Sequence, residues 1–123
     1  MGFSARAMML EAVVERPKPD VVLVHLKGRM AYSEELQKLK PELATLAGQR
    51  ETVLILDLSQ ADYADSSGIG VLLYLDGIAK DSGSVLRIAG ATRRVQEVLH
   101  MTHTDKILKL DLDVATSLSR GAS

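Results

Sequence analysis

The feature that most constrains the fold is an alternation between short apolar runs and amphipathic segments. The runs VVLVHL (residues 21–26) and VLILDL (53–58) are rich in β-branched and aliphatic residues, and VLRIA (85–89) follows the same pattern. Such runs are typical of strands that are buried on both faces of a sheet. Helical patterns separate them, which predicts parallel pairing through right-handed crossovers.

The remaining elements extend this pattern at both ends. A Pro-containing link joins the apolar run 10–14 to the strand at 21–26, which predicts an antiparallel pair ending at Gly28. Ser33 is a predicted helix cap, and Pro41 is expected to kink or restart the helix that follows. A short strand at 106–110 and a helix at 111–119 complete the order β-β-α-β-α-β-α-β-α. The predicted fold is therefore α/β, a mixed and mostly parallel sheet with an antiparallel N-terminal strand and about four helices packed on it.

The length of 123 residues and the apolar fraction of 46% fit one domain. We expect a loose N-terminal tail over residues 1–7, the folded domain over 8–118, and a frayed C-terminus over 119–123. The small polar residues at the C-terminal end are the reason for the last expectation.

Composition excludes several classes of function. The 15 basic and 16 acidic residues give a net charge of −1, and only 3% of residues are aromatic, so no nucleic-acid-binding surface is expected. No apolar run approaches the ~18–20 residues that span a bilayer, so no membrane partner is expected. The absence of cysteine excludes disulfides and thiolate metal sites. A cytoplasmic location is compatible with these features and is the one we expect.

The segment DLSQADYADSSGIGVLL (residues 57–73) carries the most information about function. It leads from a strand through a polar turn with adjacent serines into an apolar helix. The structural interpretation is that Asp65 or Ser66 caps the helix, while Gly68 and Gly70 let it approach its neighbour.

A catalytic interpretation of the same turn is weak. A nucleophilic serine needs a base within hydrogen-bond reach, and the chain offers only His25, His100 and His103. The sequence contains no G-x-S-x-G elbow, no P-loop and no dinucleotide fingerprint. His100, His103 and Asp105 lack the further ligand that a metal site needs. We therefore expect no enzymatic activity, no cofactor and no metal.

A third interpretation is a phosphorylation switch. A phosphate adds about −1.5 to −2 charges, which the helix dipole and free N–H groups would tolerate, so binding should change more than folding. Ile69 and Leu73 lie to one side of the predicted buried stripe of this helix. They would meet either a partner protein or neighbouring helices, and the pattern leaves both possibilities open. The predicted buried stripe consists of Val71, Leu72, Leu75 and Ala79.

At these residues the chain resembles the STAS domains, specifically the bacterial anti-sigma factor antagonists. Their signature is a strand ending in D-L-S, a hydrophobic or aromatic position, D-S-S-G, an aliphatic residue, glycine and an apolar helix. Residues 57–73 match it closely, and a looser resemblance extends over 10–118, including VHLKGRM and VLRIAG.

The resemblance implies a partner-switching mechanism. The unphosphorylated protein would bind an anti-sigma factor that is also a serine kinase, and so release a sigma factor. Phosphorylation of the second serine, here Ser67, would dissociate the complex, and a phosphatase would reset it. Asp65, Ser66 and Gly68 would shape the phospho-site loop. The expected docking face, on a protein that is monomeric when free, consists of Tyr63, Ile69, Gly70 and Leu73.

The chain departs from the family pattern at one position near the switch. Family members usually read G-x-L-D after the second strand, whereas this chain reads Gly28-Arg29-Met30-Ala31, without the acid. The alternative role that the resemblance allows is a scaffold or sensor subunit of a stressosome-like assembly. Such a subunit would associate with itself or with similar domains.

Overall fold

The computed structural model describes residues 10–123, so the predicted tail at 1–7 lies outside the described residues. Five strands and four helices follow in the predicted order. They are β1 (Glu11–Lys18), β2 (Val21–Met30), α1 (Glu34–Ala47), β3 (Val53–Ala64), α2 (Ser66–Asp81), β4 (Val85–Ala89), α3 (Arg93–Met101), β5 (Lys109–Asp111) and α4 (Val114–Arg120). A 3-10 turn, Thr104–Lys106, leads into β5.

The strands form one sheet in the order β1-β2-β3-β4-β5. β1 pairs with β2 antiparallel, and the other three pairings are parallel. The predicted mixed, mostly parallel sheet is confirmed. Because the parallel strands run in one direction, their carboxyl ends share one edge, where connecting loops can carry function.

The two faces of the sheet are covered unequally. The main core lies between one face and the helices α1, α2 and α3, and it includes Leu54, Leu72 and Leu99, all fully buried. A smaller cluster on the other face contains Leu23 and Ile55 and is packed by side chains of α4. Alternate residues of β2 and β3 enter the two clusters, as the pleat of a strand requires.

Two strands extend further than the sequence predicts. β3 continues past residue 58 to Ala64, because Ala61 and Ala64 remain buried within the polar stretch. β2 continues past Gly28 to Met30, paired with β3 through register shifts on either side of that glycine. Gly28 has a φ of 113°, which glycine adopts without a Cβ clash, so the strand continues through an irregularity.

Two other predictions differ from the structure. α1 is continuous through Pro41 and does not restart there. The C-terminus expected to fray from residue 119 instead belongs to α4 as far as Arg120. The carbonyl oxygens of Gly121 and Ser123 then accept hydrogen bonds from the guanidinium of Arg87, at 3.0 and 2.9 Å. The buried guanidinium needs these acceptors, and its bonds to them hold the last residues in place.

Candidate functional site

The serine turn, residues 65–68, joins β3 to α2 at the carboxyl end of β3. Asp65 is the helix cap, with extended backbone angles. Its Oδ1 accepts hydrogen bonds from the N–H groups of Ser67 and Gly68, at 2.9 and 3.1 Å. The predicted capping role thus falls to Asp65, which satisfies two of the N–H groups that a helix start leaves free.

The same carboxylate also ties the turn to the loop after β2. Oδ2 of Asp65 accepts a hydrogen bond from the N–H of Tyr32 at 3.1 Å. Partial burial raises the pKa of Asp65, but hydrogen bonds from the N–H groups of Tyr32, Gly68 and Ser67 outweigh it, so this pKa lies below its ordinary value. Asp65 therefore carries a negative charge at neutral pH, directly beside the serines.

Gly68 packs against the end of β2 with no room for a side chain. A Cβ added there would lie 2.0 Å from the carbonyl oxygen of Met30. The same carbonyl accepts a hydrogen bond from the N–H of Asp65 at 3.2 Å. Helix α2 can start this close to β2 only because residue 68 is glycine.

The serine side chains remain outside this bonding pattern. Ser66 is exposed and Ser67 is half-buried in the first turn of α2. In the part of the chain that the structure describes, the hydrogen bonds of the turn use the Asp65 carboxylate and backbone groups, not the serine hydroxyls. One expectation needs correction, because the N–H groups of Ser67 and Gly68 are bonded to Asp65 and are not free to receive a phosphate.

The predicted docking residues separate into buried and accessible ones. Ile69 is only 4% exposed and belongs to the main core, so its side chain adds almost no surface to the predicted docking face. Leu73 is half-buried against the core. Gly70 is exposed, and a Cβ added to it would meet nothing within 4 Å. Tyr63 is half-buried, with the guanidinium of Arg29 4.2 Å from its ring centre.

Two exposed aromatic residues near the turn were not predicted as site residues. Tyr32 follows β2 and is 74% exposed, and Tyr74 lies on α2 and is 46% exposed. Tyr74 is four residues after Gly70, so helical spacing alone could have placed the two on one face. Tyr32 joins the site through its N–H bond to Asp65 across 33 residues, which no local pattern predicts.

Two of the three histidines have carboxylate partners away from the serine turn. His25 contacts Glu15 and Asp57, and Nδ1 of His100 lies 2.9 Å from Asp105. Within residues 10–123, no group of three or more His, Asp or Glu side chains is arranged to hold a metal ion. A cavity of about 560 Å³ lies between α3 and β5, and no residue of the serine turn lines it.

None of the helices between residues 10 and 123 combines the length and apolar character that crossing a membrane requires.

The fold and this site define a small α/β domain with a hydrogen-bonded serine turn at the carboxyl end of its central strand. A model of the STAS_2 family, described as "Mlab, STAS domain", matches residues 13–111. The chain therefore belongs to the STAS domain family, as its resemblance to STAS domains implied.

Solved structures agree with this assignment at the level of the fold. SpoIIAA of Bacillus, an anti-sigma factor antagonist, matches in its unphosphorylated form with a TM-score of 0.75 and 15% identity, covering 89% of this chain and 95% of that one. A STAS domain protein of Planctomyces limnophilus matches with a TM-score of 0.75 and 17% identity, over 93% and 98% of the two chains. A sulfate transporter family protein of Wolinella succinogenes matches with 0.70 and 17%, over 86% and 88%.

Proposed function

We propose that the chain is an anti-sigma factor antagonist controlled at Ser67. In its unphosphorylated form it binds an anti-sigma factor that is also a serine kinase, and a sigma factor is released. The kinase transfers the γ-phosphoryl group of ATP to the Ser67 hydroxyl, and the complex dissociates. A phosphatase hydrolyses the phosphoserine and restores binding.

The observation that carries this proposal is the position of the Ser67 hydroxyl. It lies at the start of a helix whose capping bonds are made by Asp65, so its modification leaves those bonds intact. SpoIIAA, which shares the fold, has been solved in both unphosphorylated and phosphorylated forms. This agrees with a modification that the fold tolerates.

Charge explains why a partner would then leave. A phosphate on Ser67 would add its charge next to the ionised carboxylate of Asp65, whose oxygen is bonded to the N–H of the same serine. Because the N–H groups of Ser67 and Gly68 are already used, the phosphate would stay at the surface. A partner face that accommodates the one negative charge of Asp65 would then meet about three negative charges. Repulsion and desolvation would weaken the binding.

The accessible part of the docking face is then the outer side of the first turns of α2. It is defined here by Ser66, Gly70, Leu73 and Tyr74, with Tyr32 beside it. Gly70 leaves open space at its Cβ position, so nothing within the described chain demands a glycine there. Gly77 leaves the same open space farther along α2, so Gly70 is distinguished by its place one turn after Ser66.

Phosphosite mapping tests the switch directly. The protein, its Ser67→Ala variant and its Ser66→Ala variant would be incubated with ATP, Mg²⁺ and host lysate, and analysed by intact-mass and peptide mass spectrometry. We expect one phosphate on the wild type and on Ser66→Ala, and none on Ser67→Ala. A phosphate retained in Ser67→Ala, or none on the wild type, would contradict the proposal. If the wild type carries no phosphate, Ala31 would be the first residue to replace with an acid.

A matched pair of glycine variants tests the docking face. Gly70→Ala and Gly77→Ala both place a methyl group in open space within α2, so both should raise stability by about 0.5–1 kcal/mol. We expect only Gly70→Ala to weaken capture of the serine kinase from lysate by the immobilised protein. Equal capture by the two variants would move the docking face away from the first turns of α2.

Light scattering of the free wild type should give a monomer, whereas self-association would favour the scaffold role.

A further inference from the structure

His25 lies between two carboxylates on the face of the sheet opposite the main core. Its Nδ1 is 2.7 Å from Oδ2 of Asp57 on β3, and its Nε2 contacts Oε2 of Glu15 on β1. His25 and Asp57 are register partners, and Glu15 is diagonal to His25 across the antiparallel pair. These three side chains therefore connect three neighbouring strands.

The geometry requires a charged imidazole. A neutral imidazole has one N–H donor, whereas both ring nitrogens of His25 face carboxylate oxygens, which only accept hydrogen bonds when ionised. Only the imidazolium can donate on both sides, and such charge-assisted bonds are stronger than neutral ones. When His25 loses its proton, one of its nitrogen lone pairs must face a carboxylate.

The surroundings favour the charged form. The hydrogen bond to Asp57 raises the pKa of His25, partial burial opposes it, and the bond to Glu15 adds to the increase. Burial raises the pKa of Asp57, but bonds from the N–H of Ser59 and from His25 bring it below its ordinary value, so Asp57 is ionised. Lys27 lines the small cavity beside His25, and Asp113, which caps α4, lines the next cavity beyond Asp57.

Strand β1 has few other attachments. In the described chain it pairs only with β2, and its pairing becomes irregular between Glu15 and Lys18. Val13 and Val14 are each about half exposed, so the strand buries little apolar surface. Glu15 contacts His25 just where the regular ladder ends, so this contact holds the part of β1 that the backbone bonds hold least.

We propose that Glu15, His25 and Asp57 form a proton-dependent clamp that fastens the outer part of β1 to the sheet, closed when His25 is charged and released when it is neutral. The sign follows from the raised folded-state pKa of His25. The stabilisation is fully present below the unfolded value of about 6.5 and is lost as pH rises through the higher folded value.

Hydrogen exchange measured by mass spectrometry tests the clamp in the full chain. Glu15→Ala removes one arm, and Glu11→Ala is the matched control, because Glu11 is an exposed glutamate on the same strand. At pH 6 we expect peptides covering Glu11–Lys18 to exchange about two- to fivefold faster in Glu15→Ala than in the wild type. Glu11→Ala should match the wild type, and peptides covering Val85–Ala89 should match in all three proteins. Comparison at one pH cancels the intrinsic pH dependence of exchange.

An NMR titration of the His25 ring protons decides at which pH the clamp should be open. We expect a wild-type midpoint above about 6.5 and a lower midpoint in Glu15→Ala. Above the wild-type midpoint, the exchange difference between the two proteins should disappear. An unshifted midpoint in Glu15→Ala, equal exchange at pH 6, or a difference that persists above the midpoint would each overturn the clamp.

Discussion

The two faces of the sheet are stabilised by different means. The face under α1, α2 and α3 is a continuous apolar core, in which Leu54, Leu56 and Leu72 are fully buried. The opposite face has a small apolar cluster under the short helix α4, and charged side chains occupy positions on either side of it. One short helix cannot cover five strands. The positions on this face that α4 leaves uncovered therefore carry polar side chains, which bond to one another.

The most buried of these polar groups is the pair formed by Arg87 of β4 and Asp111 of β5, with side chains 5% and 0% exposed. Nε of Arg87 donates to Oδ2 of Asp111 at 2.7 Å, and Nη2 donates to Oδ1 at 3.3 Å. The hydroxyl of Ser117 and the guanidinium of Arg120 donate to the same carboxylate, at 2.6 and 3.1 Å. The bond to Arg87 lowers the pKa of Asp111, against the opposing effect of burial.

The largest expected effect is that of breaking this pair. Arg87→Met keeps a long side chain but removes the donors to Asp111 and to the C-terminal carbonyls, so the free energy of unfolding should fall by about 3–5 kcal/mol. Urea denaturation measures it. The control Arg93→Met changes an arginine whose side chain is 96% exposed and should stay within about 0.5 kcal/mol.

The same variant should alter the response to acid. Asp111 has a lowered folded pKa, so its contribution is present above the unfolded value of about 3.9 and is lost as pH falls through the folded value. Wild-type stability should therefore decline more steeply below about pH 4 than that of Arg87→Met. Parallel curves for the two proteins would show that Arg87 does not lower the pKa of Asp111.

The sequence predicted the apolar face better than the polar one for a physical reason. Apolar periodicity is local, so VLILDL and the stripe containing Leu72 could be read directly from the chain. Arg87 and Asp111 are 24 residues apart and meet only through the register of β4 and β5, which no local pattern fixes. Asp111 was accordingly predicted to begin the last helix, whereas it ends β5.

The candidate site also has features that the sequence predicts and features that depend on distant contacts. A cap within the turn and the place of the serines at the start of α2 depend on neighbouring residues, and the sequence predicted both, with Asp65 as one of two cap candidates. The bond from Tyr32 to Asp65 and the approach of Gly68 to Met30 depend on two loops meeting at the sheet edge. The burial of Ile69 has the same origin, since helical spacing alone left its surroundings open.

The smallest of these expected effects is that of Leu118→Ala, and its comparison with Leu72→Ala should sharpen the contrast between the two apolar clusters. Leu72→Ala leaves a cavity under three helices and should cost about 2–5 kcal/mol, as for other fully buried leucines. Leu118→Ala removes a partly buried side chain from α4, where water can fill the space, and should cost about 1–2 kcal/mol. Denaturant midpoints of both variants, with Leu112→Ala as a control at an 83% exposed position, provide the comparison. If Leu118→Ala costs as much as Leu72→Ala, then α4 stabilises its face mainly by apolar packing, and the charged pairs are secondary there.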